Sequence, residues 1–228
     1  MTSFARRLYA IQRTFTSFTY PRDLPLMIGA FRNRRYEPCP ANIWQIIDPF
    51  GGYLRSREAG LLYRTAARWP LTGPVVELGS YEGRSTIVFA SAGRFVHAVD
   101  AWSLTVQDRS AYKDDLISAD DVFDRFKRNL HCAGVEDRVH VHRGLTKTIG
   151  QEWNMPCAIL MVDAGHTYED AKSDLKTWTP FLLPGGLLLM HDVICDGFPG
   201  VKRAASELLG KGWRVVASAD SLVAFAQR

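Results

Sequence analysis

The feature that most constrains the fold of this chain is a regular alternation of short apolar segments with longer helical ones. Five apolar runs predict buried strands, over residues 74–79, 95–100, 138–142, 158–163 and 186–191. Helical spacing before, between and after them predicts helices over residues 56–69, 85–92, 120–130, 167–182 and 201–211. Strands that alternate with helices indicate an α/β fold with a doubly wound, parallel sheet and crossovers on both faces.

The C-terminal segment departs from this alternation. Residues 213–227 contain two short strand-like runs around a turn that includes Asp220. Two consecutive strands joined by a short turn pair in antiparallel fashion. We therefore expect a mostly parallel, seven-stranded sheet that ends in an antiparallel C-terminal hairpin.

Charge divides the chain into two parts. Residues 1–40 contain seven arginines and two acidic residues, whereas the whole chain has a net charge of only +4. We therefore predict a basic N-terminal arm over residues 1–45 and one globular domain over residues 46–228. The arm could contact an anionic partner or a membrane surface, but a lid or dimer arm with solvated arginines is favoured. No nucleic-acid partner is expected, and the apolar pieces of the arm suggest a homodimer.

Localisation is predicted from what the sequence lacks. It has no apolar run long enough to cross a bilayer, so no stable membrane insertion is expected, and it has no secretory signal pattern. Cys39, Cys132, Cys157 and Cys195 are scattered and form no C-x-x-C pair, which is typical of a reducing compartment. The expected location is the cytoplasm.

The first predicted strand ends in E-L-G-S-Y-E-G-R-S, residues 77–85. Gly79 lets the backbone turn sharply beside a ligand, and Gly83 allows the next helix to begin close by. The spacing is not G-x-G-x-x-G, and Glu77 precedes the first glycine by two residues. A carboxylate there disfavours a pyrophosphate and favours a cationic ligand that carries a sulfonium and an ammonium group.

The second predicted strand ends at Asp100. An acidic side chain at this position can accept hydrogen bonds from both hydroxyl groups of a ribose, and Trp102 could cover an adenine ring. A helix-capping aspartate and a packed tryptophan are the structural alternatives. Together with the glycine-containing turn, these residues predict a nucleoside-type ligand.

Further polar residues follow the fourth and fifth predicted strands. Asp163 ends the fourth, and His191 and Asp192 end the fifth, so the three should be neighbours on the ligand side of the sheet. The carboxylates suit Mg²⁺ or Mn²⁺, although imidazole is a poor Mg²⁺ ligand. His166 is the first candidate for a general base and His142 the second. Helix capping by Asp163 and simple loop hydrogen bonds of the histidines remain the alternatives.

These two motif blocks resemble those of class I S-adenosylmethionine-dependent methyltransferases. The resemblance covers roughly residues 50–226 and rests on V-V-E-L-G-S-Y-E-G-R-S-T and on D-A-G-H-T-Y, followed by L-P-G-G and H-D. It is strongest with the metal-assisted O-methyltransferases of sugars and natural products, including the sugar 1-O-methyltransferases of mycobacterial methylmannose polysaccharide synthesis. Related families often carry an acidic residue at the position of His191, which makes the metal role of this histidine doubtful.

The resemblance implies a Rossmann-like methyltransferase fold and a set of cofactor contacts. The amino-acid end of the cofactor would be surrounded by Glu77, Gly79, Ser80, Gly83 and Ser85. Its ribose would bind Asp100, and its adenine would lie near Gly144 and Leu145. Independently of the resemblance, the polar segment over residues 103–119 could form a flap over the site or a plain surface loop.

The function expected from the sequence is a divalent-metal-assisted O-methyltransferase. Its acceptor would be a small hydroxylated molecule, with a sugar or oligosaccharide ahead of a phenol. A nicotinamide-dependent oxidoreductase and a non-catalytic cofactor-binding protein are the alternatives.

Overall fold

A single seven-stranded sheet organises the chain, with the strand order β3-β2-β1-β4-β5-β7-β6. The computed structural model describes residues 21–103 and 119–227. The first five strands pair in parallel, and β7 is antiparallel to both β5 and β6. The strands are β1 (Val75–Leu78), β2 (Val96–Asp100), β3 (Val139–Arg143), β4 (Cys157–Val162), β5 (Leu182–Met190), β6 (Trp213–Ala219) and β7 (Leu222–Gln227). The predicted fold class is thereby confirmed.

Helices cover both faces of this sheet. They are α1 (Leu24–Arg32), α2 (Ala41–Ile47), α3 (Ser56–Arg68), α4 (Arg84–Ser91), α5 (Ala119–Ala133), α6 (Thr146–Glu152), α7 (Tyr168–Trp178) and α8 (Pro199–Leu209). One apolar core lies between the sheet and α2 to α5, and a second lies between the sheet and α1, α6, α7 and α8. Alternate residues of the strands enter the two cores: in β4, Met161 belongs to the first and Leu160 to the second.

The largest difference from the predicted elements lies between α7 and β5. The helix ends at Trp178, a short 3₁₀ turn follows, and β5 begins at Leu182 rather than at residue 186. Pro184 and Gly185, which were expected to lie between the helix and the strand, lie within β5. The pairing of β5 with β4 shifts its register between Cys157 and Ile159 of β4. The facing part of β5 is therefore irregular, and Gly185 in it has a φ of +78°.

Residues 21–45 of the predicted arm pack against the sheet. Leu26 and Ala30 of α1 are buried, and a Cβ at Gly29 would lie 3.1 Å from a methyl carbon of Val215 on β6. The hydroxyl group of Ser218 donates to the carbonyl of Ala30 at 2.6 Å. This part of the arm is therefore built into the domain, whereas residues 1–20 lie outside the described residues.

The remaining comparisons with the sequence concern helix α6, the proposed flap and the four cysteines. The short helix α6 was not predicted, because its sequence T-K-T-I-G-Q-E has a single apolar residue and so no periodicity. The proposed flap lies almost wholly outside the described residues. The four cysteines are free, as expected, and no helix within residues 21–103 and 119–227 has the length and apolar character to span a membrane.

Candidate functional site

A cavity of about 1370 Å³ opens at the carboxyl ends of β1, β2, β4 and β5. Open parallel sheets bind ligands at this edge, and typical small-molecule sites measure about 300–1,000 Å³. The cavity therefore has room for more than one ligand. Its wall is formed by the loop after β1, the ends of β2 and β4, the start of α6 and the residues that follow β5.

The loop after β1 lies directly against the end of β4. Gly79 has a φ of +85°, and a Cβ at this position would lie 2.3 Å from the carbonyl oxygen of Asp163. Only glycine fits both the conformation and the contact. Gly83, with a φ of +92°, precedes α4, and its amide donates to the carbonyl of Ser80 at 2.8 Å. The two glycines thus fold the loop into a tight turn at the cavity wall.

Glu77 holds this loop from beneath. Its side chain is fully buried, and Oε2 accepts hydrogen bonds from the hydroxyl groups of Ser80, at 2.8 Å, and Thr86. Oε1 has no hydrogen-bond partner among the described residues. Burial raises the pKa of Glu77 to about 7, although neighbouring hydroxyl groups favour the ionised form. The residue was expected to contact the cofactor, but it lies behind the cavity wall that Ser80 and Ser85 help to form.

Asp100 connects the end of β2 to the same loop. Its Oδ2 accepts from the amides of Ser80, at 2.8 Å, and Tyr81, at 2.9 Å, while Oδ1 accepts from the amide of Trp102 at 2.6 Å. The carboxylate is half-buried at the cavity wall. Asp100 therefore lies where a ribose-binding acid was expected.

Trp102 lies at the cavity wall, and its ring packs against aromatic side chains of the core. Only 2% of the residue is exposed, and its ring centroid lies 4.7 Å from that of Phe123 and 4.8 Å from that of Phe126. Its indole N–H donates to the carbonyl of Tyr81 at 2.8 Å. Only a small part of Trp102 is therefore left at the cavity wall, and its contact with the adenine stays a prediction.

The segment after β3 contributes Leu145, Thr146 and Lys147 to the cavity wall. Leu145 is 63% exposed and lines the cavity. The amide of Gly144 donates to the carbonyl of Asp100 at 2.9 Å, which connects the ends of β2 and β3. Leu145 is thus the apolar side chain at this end of the cavity, and Gly144 supports it through the backbone.

Asp163, His191 and Asp192 converge at the other end, and we refer to them as the carboxylate–histidine cluster. Nδ1 of His191 lies 3.3 Å from Oδ1 of Asp163 and 3.4 Å from Oδ1 of Asp192. One potential ligand atom from each residue lies within 4.8 Å of the other two. The structure thus brings together residues that the sequence predicted from two separate motifs.

The charges of the cluster are strongly coupled. Burial opposes a charge on His191, but the facing carboxylate of Asp163 raises the pKa of this imidazole well above its ordinary value. Burial likewise raises the pKa of Asp163. For Asp192, burial acts in the same upward direction, but hydrogen bonds from His166 and His191 hold its pKa below the ordinary value. The acids and imidazoles of the cluster therefore offset part of one another's charge, and its carboxylates keep an electronegative site at this end of the cavity.

This donor set fits a divalent metal ion. Asp163 and Asp192 supply carboxylate oxygens, and Nδ1 of His191 supplies a nitrogen that faces the same point. Carboxylates suit Mg²⁺ and Mn²⁺, while imidazole favours transition metals. The chemistry of the residues thus permits a metal, with Mn²⁺ matching the mixed set better than Mg²⁺.

His166 lies beside the cluster. Its Nε2 is 3.3 Å from Oδ2 of Asp192, and its ring stacks on Phe198 with centroids 4.2 Å apart. The side chain is 17% exposed and lines the cavity. His142, the second base candidate, lies instead on β3, where its Nε2 is 3.0 Å from Nδ1 of His97, and it is absent from the described residues that line the cavity. Of the two base candidates, His166 and not His142 is therefore among the described residues that line the cavity.

Two residues behind the cluster were not identified from the sequence. Glu58 of α3 is 1% exposed, and its Oε2 lies 3.4 Å from Nε2 of His191. The hydroxyl group of Ser221 donates to Oε1 of Glu58 at 2.7 Å. A glutamate in the first turn of a helix indicates capping, so sequence gave no signal for this contact with a residue far along the chain.

Comparisons with known proteins agree with this geometry. A family model described as a methyltransferase domain matches residues 76–193, just over half of the chain, and this range includes the loop after β1 and the cluster. Among solved structures, the O-methyltransferase NovP is 18% identical with a TM-score of 0.62, covering 74% of this chain and 78% of its own.

Two further structures are similar. The O-methyltransferase TomG from Streptomyces achromogenes, involved in tomaymycin synthesis and solved with S-adenosylmethionine, is 17% identical with a TM-score of 0.59, over 82% of this chain and 86% of its own. CalS11, a TDP-rhamnose 3'-O-methyltransferase of calicheamicin biosynthesis, is 18% identical with a TM-score of 0.51, and the match covers 83% of this chain and 88% of CalS11. At sequence identities this low, the structural similarity shows a shared fold and nothing more. The family match, which spans the cavity's glycine loop and its cluster, means that this chain belongs to the methyltransferase domain family.

Proposed function

We propose that this protein is an S-adenosylmethionine-dependent O-methyltransferase that is assisted by a divalent metal ion. The observation that carries the proposal is the cavity itself, which joins the glycine loop and Asp100 at one end to the carboxylate–histidine cluster at the other. A nucleoside-type methyl donor and a hydroxyl acceptor can therefore meet in one space. The name of TomG, which was solved with S-adenosylmethionine, supports the choice of donor.

At the donor end, the residues of this chain bind and orient the cofactor. Asp100 would accept from the ribose hydroxyl groups, Leu145 would cover an apolar part of the adenine, and the tight loop after β1 would approach the amino-acid portion. In its ionised form, Glu77 adds negative potential beneath that loop, which suits an ammonium and a sulfonium but not a pyrophosphate. When bound, the cofactor supplies an electrophilic methyl group on positively charged sulfur.

At the acceptor end, Asp163, His191 and Asp192 would hold a divalent ion, Mg²⁺ or Mn²⁺, which would supply positive charge to lower the pKa of the acceptor hydroxyl group. His166 takes the hydroxyl proton, and Asp192, 3.3 Å from it, stabilises the imidazolium that results. The new bond joins the acceptor oxygen to the methyl carbon as the bond from that carbon to sulfur breaks. Since methyl transfer depends chiefly on alignment, the rigid walls of the cavity contribute most through positioning.

The proposed acceptor is a small hydroxylated molecule, with a sugar or oligosaccharide ahead of a phenol or another secondary metabolite. The size of the cavity, about 1370 Å³, leaves space beside a nucleoside cofactor. CalS11 is named as a methyltransferase of a nucleotide-linked sugar, which supports the sugar alternative. A cytoplasmic location and a homodimer remain predictions from the sequence.

A labelled-methyl assay tests the proposal. The full chain is incubated with S-adenosylmethionine carrying a labelled methyl group, with and without a chelator, against simple sugars, mannose oligomers and phenols. We expect label on an oxygen of one acceptor class, and its loss with the chelator or with Asp163→Asn or Asp192→Asn, while S-adenosylhomocysteine still binds. Asp137→Asn, at an exposed position in the turn before β3, is the matched control and should behave as wild type. Turnover that survives complete metal removal would refute the metal assignment.

A further inference from the structure

Glu58 is a buried carboxylate that neither the sequence motifs nor the family match accounts for. It lies on α3, before the matched range of residues 76–193, and is 1% exposed. Burial of a charged group is costly unless partners compensate for it. The pKa of Glu58 lies below its ordinary value, because hydrogen bonds and the charge of His191 outweigh the effect of burial. Its partners therefore indicate what the residue does.

Both oxygens of Glu58 are held in place. Oε1 accepts from the amide of Ser221 at 2.9 Å and from its hydroxyl group at 2.7 Å. Oε2 accepts from the amide of Arg55 at 2.8 Å and faces Nε2 of His191 at 3.4 Å. In addition to the contact with His191, three hydrogen bonds thus fix the position of the Glu58 carboxylate.

The imidazole of His191 lies between the carboxylate of Glu58 on one side and the carboxylates of two aspartates on the other. Its Nε2 faces Glu58 and Ser221, and its Nδ1 faces Asp163 and Asp192. In metal sites, the group that hydrogen-bonds one ring nitrogen fixes the ring orientation and leaves the other nitrogen as the ligand. A carboxylate behind Nε2 therefore selects Nδ1 as the atom that faces the cavity.

We propose that Glu58 is a positioning residue that holds His191 with Nδ1 directed at Asp163 and Asp192, and so makes His191 a nitrogen ligand of the metal ion. This inference rests on the proposed metal-assisted function and extends it. A site of two carboxylates and one oriented imidazole favours Mn²⁺ or another transition metal over Mg²⁺. The metal preference of this enzyme is thus set partly from α3, outside the matched domain.

Helix capping alone does not explain Glu58. The hydrogen bond from the amide of Arg55 is the expected capping interaction, because Glu58 is the third residue of α3. Capping glutamates are normally at the surface, however, whereas Oε1 reaches Ser221 and Oε2 reaches His191 in the interior. A capping role predicts lower stability without any change at the metal, and this difference makes the two roles separable.

The experiment uses the full chain with Mn²⁺ as the probe. Pulsed EPR of the bound ion should contain the modulation of a coordinated imidazole nitrogen, which should vanish in His191→Gln and persist in His166→Gln. Glu58→Gln should weaken Mn²⁺ binding by about tenfold or more and reduce that modulation, as loss of such an outer partner does in other sites. Ser221→Ala, which removes one hydrogen bond to Glu58, should weaken Mn²⁺ binding less.

Two results would overturn the inference: bound Mn²⁺ without the nitrogen modulation, or Glu58→Gln with unchanged Mn²⁺ affinity and an unchanged spectrum. If Glu58→Gln does not fold, the wild type and His191→Gln still show whether His191 is a ligand. Ser221→Ala then shows whether loss of a hydrogen bond to Glu58 weakens Mn²⁺ binding. Binding of S-adenosylhomocysteine and methyl transfer by the wild type are measured in parallel. Their loss would count against the proposed function, whereas their presence without a nitrogen signal would count against the role of Glu58 alone.

Discussion

Replacement of Gly79 by alanine should disable the cofactor end of the cavity. The added Cβ would lie 2.3 Å from the carbonyl oxygen of Asp163 and 2.8 Å from the Cα of Ala164. Both neighbours are backbone atoms that follow β4, so no flexible side chain can move away. The substitution therefore pushes the glycine loop and the end of β4 apart.

The size of the effect follows from the contact. Side-chain carbons do not approach such atoms within 3.0 Å, so the two segments must separate by about 0.7 Å. A φ of +85° adds a strain of about 1–2 kcal/mol for any residue other than glycine. Because a misplacement of about 1 Å costs on the order of 10²-fold in rate, methyl transfer should fall by nearly that factor.

Gly93→Ala is the matched control. Gly93 has a similar φ of +89°, but a Cβ there meets nothing within 4 Å. Both variants carry the conformational strain, and only Gly79→Ala carries the contact with β4. Calorimetric titration with S-adenosylhomocysteine should give wild-type affinity for Gly93→Ala and at least about tenfold weaker binding for Gly79→Ala. Equal affinities in the two variants would refute the reasoning.

Three further predictions concern stability. Arg94 donates to four backbone carbonyls within residues 66–73. Arg94→Lys should therefore lower the free energy of unfolding, measured by urea denaturation, by about 2–4 kcal/mol. The control Arg68→Lys, at an exposed position, should leave it unchanged. The pKa of Glu77 is about 7 when folded, against 4.5 ordinarily, so stability should fall by about 3 kcal/mol as the pH rises through that window, and Glu77→Gln should abolish this decline. Burial, with His142 and His140, lowers the pKa of His97 from 6.5 to about 4, so stability should be lost as the pH falls through that range. His97→Gln should reduce this acid sensitivity in thermal unfolding, and an unchanged pH profile would contradict the assignment.

The sheet and the cluster were predictable because both follow from local patterns. Apolar runs identified the strands, and parallel strands place their carboxyl ends at one edge, so Asp163, His191 and Asp192 had to be close. The C-terminal hairpin was predictable from two adjacent runs around Asp220.

Other features depend on contacts that a local pattern does not encode. An aromatic residue after a strand looks the same in sequence whether its ring faces a ligand or the core, and the contacts of Trp102 with Phe123 and Phe126 of α5 are visible only in the packed structure. The roles of Glu58 and Ser221 arise only when α3 and the turn before β7 meet behind His191. Such side chains are recognised from the packed structure.

The most direct test of the central claim is a comparison of ligand binding by the wild-type chain. Equilibrium titrations with S-adenosylhomocysteine and with NAD⁺, each repeated with Asp100→Ala, ask which nucleoside ligand the cavity holds. The account predicts saturable binding of S-adenosylhomocysteine that Asp100→Ala weakens, and no binding of NAD⁺. Binding of NAD⁺ with none of S-adenosylhomocysteine would contradict it.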